Sequence, residues 1–133
     1  MKHPLIAFWK AIIWALIVIN LSLVNIQLFP LPRMDSNFVH LDKIVHAFIY
    51  MIQSFLIMEG CLILSYRQFK SIIIASAVSV FYGLLMEFLQ YYFFPYRSGD
   101  VMDMLANIVG VALGCTAFVL YINLKRKRDA RRI

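Results

Sequence analysis

Three side chains in this 133-residue chain are suited to moving protons: His46, Glu87 and Asp103. Each stands inside a short polar motif. The motifs read Asp42-Lys43-x-x-His46, Glu87-x-x-Gln90, and Arg97-x-x-Asp100-x-x-Asp103-x-x-x-Asn107. An imidazole and carboxylates held around one space can act as general acid and base. Lys43 and Arg97 are cations that could hold a phosphate, with Arg giving the forked geometry. Asp42, Gln90, Asp100 and Asn107 add hydrogen-bonding capacity to a ligand site. His46, Glu87, Asp100 and Asp103 would also make an oxygen-rich set with one imidazole, of the kind that suits Mg or Mn more than Zn. No local metal-ligand motif accompanies them, so no metal or other cofactor is assigned. Ser98 is the one serine in the motif region and neither cysteine is near it, so no nucleophile stands out.

The elements that must position these residues follow from where the charges are missing. Lys10 and Arg33 bracket 22 residues without a charged side chain. Lys43 and Arg67 bracket 23 in which only Glu59 is ionised and His46 can titrate; Lys70 and Arg97 bracket 26 with only Glu87; Asp103 and Lys125 bracket 21 with none. About 20 apolar residues cross a bilayer core, so the chain is expected to be an all-α polytopic membrane protein of one domain, residues 1–133. Its four spans fall at about 9–30, 44–66, 71–94 and 102–124. Hydrophobic content of 62% with only 15% charged residues fits no ordinary soluble domain of this length. The run from residue 11 to 31 is longer than the apolar part of a signal peptide and ends at Phe29-Pro30-Leu31-Pro32, so it reads as a retained helix that the prolines stop.

The net charge of +6 comes mostly from a basic tail at 125–133. Directly after a span, such a run reads as a topology and anionic-lipid signal rather than a nucleic-acid patch. With the N-terminus in the cytoplasm, ten Lys and Arg lie inside and three outside, so the positive-inside rule places both termini in the cytoplasm. The loops at about 32–41 and 95–99 then face outward, and all three polar motifs approach the outer leaflet.

Helical spacing sets their faces. Asp42, His46 and Tyr50 follow one another at four-residue steps; Gly83, Glu87 and Gln90 share a side; Asp100, Asp103, Asn107, Gly110 and Gly114 fall on one face of the fourth helix. The Gly110-x-x-x-Gly114 pair lets helix backbones approach closely. Pro95 is expected to end the third helix, which sets Glu87 roughly 10 Å below the outer interface. A carboxylate there calls for a partner, and Arg97, Lys43 and His46 are the cations within reach. Tyr91, Tyr92, Phe93, Phe94 and Tyr96 read as an interfacial aromatic belt. Glu59 lies in the other half of its span and would pair with Arg67 or Lys70, or mark an oligomer face. Cys61 and Cys115 have no CxxC or basic neighbour and read as buried packing.

With its three motifs in this order at this depth, followed by the glycine pair, the chain from about Leu41 to Leu120 resembles the VanZ-like membrane proteins. The resemblance implies a bacterial plasma membrane and a cell-envelope role, since the founding member is associated with low-level resistance to the glycopeptide teicoplanin. It supplies no reaction. Three readings remain: the first is an outward-facing site that binds, or binds and processes, an envelope lipid or a lipid-linked or glycopeptide-like ligand, and the second an ion-pair network that only clamps the helices. Passage of ions or protons is the third. The expected partners are membrane lipids and such a ligand, with no nucleic acid. On the site reading, Glu87→Gln and Asp103→Asn should both melt close to wild type while losing function.

Overall fold

A computed structural model describes residues 3–23, 36–93 and 101–132, with side chains from Leu41 onward in the second segment. These residues form four α-helices: α1 (Pro4–Leu23), α2 (Ser36–Ile63), α3 (Gln68–Phe93) and α4 (Val101–Ala130). Each is long and apolar enough to cross a membrane. Helices are what such sequences must form, because lipid offers no partner to backbone N–H and C=O groups.

Each helix begins before its expected span, while α2 ends short of it, at Ile63 rather than 66. α1 starts at Pro4, which is tolerated in a first turn, where no N–H is needed. α2 begins eight residues before the expected position, so Asp42 and Lys43 already lie on helix. α4 continues through Ala130, and the basic tail is therefore largely a helical extension of the last span. The Pro30/Pro32 and Pro95 stops fall outside the described residues.

The α2–α3 turn is closed by a Schellman arrangement. Tyr66 N–H donates to Cys61 C=O at 3.0 Å and Ser65 N–H to Leu62 C=O at 2.9 Å. Ser65 takes the left-handed conformation, φ 61°, that this motif normally gives to glycine.

Packing inverts the soluble pattern. Large apolar side chains such as Leu16, Phe81, Phe88 and Leu120 face outward. The buried face of α3 is Ser71, Ala75, Ser79, Gly83, Met86 and Gln90. Without a hydrophobic force between helices in lipid, small residues and interhelical hydrogen bonds hold the bundle. α2 is central and touches all three other helices, whereas α1 and α4 do not meet among the described residues. The α2–α4 seam is the tightest. A Cβ on Gly110 would run into the Ala47 carbonyl, and one on Gly114 into Ser54 Oγ and the Met51 carbonyl. Ser54 Oγ donates to Tyr50 C=O at 2.9 Å and lies 3.3 Å from Val111 C=O across the seam. Below it, Phe55 and Phe118 meet edge to face at 5.1 Å.

α1 is held by single polar contacts. Trp14 Nε1–H donates to Ile49 C=O at 3.1 Å, and Tyr82 O–H to Ala15 C=O at 2.6 Å. Lys10 pairs with Glu59 at 2.7 Å. That corrects the expectation for Glu59, whose partner comes from α1 rather than from Arg67 or Lys70; antiparallel packing brings the start of α1 beside the end of α2. Cys61 and Cys115 are buried free thiols, as expected.

Candidate functional site

The polar motifs meet at the end of the bundle opposite the Lys10–Glu59 pair and the basic extension, and α2 divides them into two groups. On its α4 side everything is paired. Lys43 Nζ bonds Asp103 Oδ1 at 2.5 Å, with both side chains largely buried. One turn deeper, His46 Nδ1 lies 3.1 Å from Asn107 Oδ1. Spacing explains both contacts. Lys43 to His46 is three residues and Asp103 to Asn107 is four, so each helix presents two successive polar groups to the other. Asp103 also sits in the first turn of α4, where the helix dipole favours a carboxylate. Gly110 one turn further on lets the backbones come close enough for these side chains to meet.

On the α1 and α3 side lies a crevice of about 280 Å³. Its polar wall is Asp42, His46, Tyr50, Glu87 and Gln90, with Ser22 from α1; Val18, Leu21, Val45, Ile49 and Met86 supply the apolar wall. Tyr50 and Gln90 are buried, Glu87 is half-buried and Asp42 is exposed. His46 belongs to both groups. Its Nε2 lies 3.8 Å from Asp42 Oδ1, within ion-pair reach but too long for a hydrogen bond. An amide oxygen can only accept, so the Asn107 contact calls for a proton on Nδ1 and leaves Nε2 as the ring nitrogen that faces Asp42.

Asp42, His46 and Asp103 each offer a ligand atom within 4.8 Å of the others. Among the described residues this is the set that could gather around a cation; it shares His46 and Asp103 with the set weighed from sequence, whose Asp100 lies outside the described residues. The Lys43 ammonium already sits on Asp103, however, so a divalent ion would have to compete with it.

Of the nine residues singled out by sequence, Asp42, His46, Glu87 and Gln90 line the crevice. Lys43, Asp103 and Asn107 form the paired layer behind it. Arg97 and Asp100 fall outside the described residues, as does the expected bond from Arg97 to a carboxylate. His46 and Glu87 do share one crevice; Asp103 reaches it only through its neighbours. Because Asp103 is bonded to the partly buried Lys43, Asp103→Asn is here expected to lower the melting temperature by stranding the lysine, unlike the near-wild-type melting expected from sequence. Tyr91, Tyr92 and Phe93 are exposed on the bundle's outer surface, in keeping with a belt rather than a stacking site. The α1 contribution to the crevice was not readable from sequence. Val18, Leu21 and Ser22 carry no motif, and only packing shows which face of that uniformly apolar helix turns inward.

The fold and the polar end together define a small multi-pass membrane protein whose helices enclose polar groups at one face of the bilayer. The chain belongs to the VanZ/LLP1 family, whose family model matches residues 5–123. No curated protein and no solved structure matches it.

Proposed function

We propose that the crevice is an outward-facing binding site, in a bacterial plasma membrane, for a cell-envelope lipid or a lipid-linked or glycopeptide-like ligand. On this reading His46 and Glu87 exchange protons with that ligand, and Asp42 and Gln90 hydrogen-bond it. One observation carries the reading: four of the motif residues, distant in sequence, line one crevice with an apolar wall beside the polar one. A crevice with both walls suits an amphiphile, and polar groups kept at membrane depth are costly unless used.

Supporting the orientation is the charge count, which leaves the basic extension of α4 in the cytoplasm and the crevice at the outer leaflet. Single cysteines at Asn37 and Ser98, in a Cys-free background, should therefore react with a membrane-impermeant thiol reagent on intact cells. Protection of both, with labelling of a cysteine placed in the tail, would reverse the topology.

The site itself is tested by mass spectrometry of lipid carried through purification. His46→Gln and Glu87→Gln should purify as folded protein without the lipid that wild type retains. Retention of the same lipid by both variants would remove the crevice from the function. The alternative, a purely structural clamp, is favoured by a different observation, the Lys43–Asp103 pair. It accounts for the α4 side of the cluster and leaves Glu87, Gln90 and the crevice without a purpose.

A further inference from the structure

Two polar atoms in the middle of the bundle have no hydrogen-bond partner among the described residues: Gln53 Oε1 on α2 and Ser79 Oγ on α3. Both side chains are sealed from lipid, at 4% and 0% exposure. Their relation follows from the register of the two antiparallel helices. The rings of Tyr50 and Tyr82 lie 6.3 Å apart, and a Cβ on Gly83 would sit 3.3 Å from Tyr50 Cε1. Toward the other end, Cys61 neighbours Ser71. Each step forward on α2 therefore matches a step back on α3. Gln53 is three residues on from Tyr50, and Ser79 is three back from Tyr82. The two orphaned groups thus occupy the same level of the α2–α3 seam, one helical turn deeper than Tyr50.

We propose that Gln53 and Ser79 hold an internal water molecule at the membrane's mid-depth, extending the polar path of the crevice past its floor at Tyr50. The chemistry selects the ligand. Gln53 Oε1 can only accept, whereas Ser79 Oγ can donate or accept, so the missing group must donate to Gln53 and either donate to or accept from Ser79. Water does this, and buried waters are typically found bridging two to four such groups. Tyr50, which is buried and lines the crevice, is the last polar residue on the route from the outer face. Leaving both groups dry would be more costly here than in a soluble core, since no solvent is available in the bilayer to relieve them. This inference does not depend on what the crevice binds.

The prediction separates from a dry seam by sign. If the atoms are dry, Ser79→Ala removes an unsatisfied group and raises the melting temperature. If a water bridges them, Ser79→Ala and Gln53→Leu each lower it by stranding the partner, and the double variant loses less than the two single losses combined. A rise in either single variant, or simple additivity, overturns the proposal. Water-edited solid-state NMR on the wild-type protein in bilayers provides a readout that needs no variant to be stable. The Gln53 side-chain amide signal, identified by its loss in Gln53→Leu, should gain polarisation from water as fast as that of Gln90. In Ser79→Ala the transfer should slow severalfold. Slow build-up in wild type, or no change on removing Ser79, would show the seam to be dry.

Discussion

The two flanks of α2 handle polar residues in opposite ways. Toward α4 the helices close to backbone contact over Gly110 and Gly114, and the facing polar groups are consumed in pairs, Lys43 with Asp103 and His46 with Asn107. Toward α1 and α3 the same end of α2 opens a crevice, and Asp42, Glu87 and Gln90 line its wall. The difference lies in what stands opposite. A glycine stripe brings the partner backbone near enough for short side chains to bond, whereas α1 at that level presents Val18, Leu21 and Ser22, which leave space. One motif, Asp42-Lys43-x-x-His46, serves both flanks because adjacent residues on a helix point about 100° apart.

This contrast can be broken most severely at its tightest point. Gly110→Val should leave little folded protein, since its Cβ would meet the Ala47 backbone rather than a side chain that can move; the loss should exceed the ~1–3 kcal/mol usual for over-packing. Detergent-solubilised size-exclusion profiles report it, and a monodisperse, wild-type-like peak would mean the seam is looser than described.

Lys43→Met comes next. It strands Asp103 and should cost about 3 kcal/mol, near the lower end for breaking a buried pair because Lys43 keeps some exposure. Lys43→Met combined with Asp103→Leu should recover most of that loss. A thermal-melt double-mutant cycle with no coupling would dissolve the distinction between the flanks.

On the crevice side, Glu87→Gln keeps volume and hydrogen bonding, so its expected cost is about 1 kcal/mol or less while any envelope or antibiotic-susceptibility phenotype disappears. A fall in melting temperature as large as that of Lys43→Met would make the crevice wall part of the clamp.

The smallest effect belongs to the opposite end and serves as a control. Ser65→Gly relieves a left-handed residue in the α2–α3 turn and should stabilise by about 1 kcal/mol without touching either flank. A loss of stability would show that the Ser65 side chain makes a contact worth more than the strain.

Much of this was determined by the chain itself. Four charge-poor lengths of membrane-spanning size required four helices, because in lipid a continuous apolar run satisfies its own backbone only as a helix. The 3.6-residue repeat put Asp103, Asn107, Gly110 and Gly114 on one face, and buried positions 103, 107, 110 and 114 bear that out. His46 and Glu87 were legible as neighbours because an ionisable residue in lipid must face the interior. What tertiary structure alone decided was the pairing. Lys43 was legible only as one of the cations within reach of Glu87, and the glycine-set approach of α4 gave it to Asp103. Glu59 found Lys10 for the same kind of reason, across 49 residues. Sequence periodicity fixes the direction of a side chain around its own helix axis, but not which neighbouring helix stands in that direction or how far away. Those follow from how closely each pair of backbones can pack, and that is a property of two surfaces together.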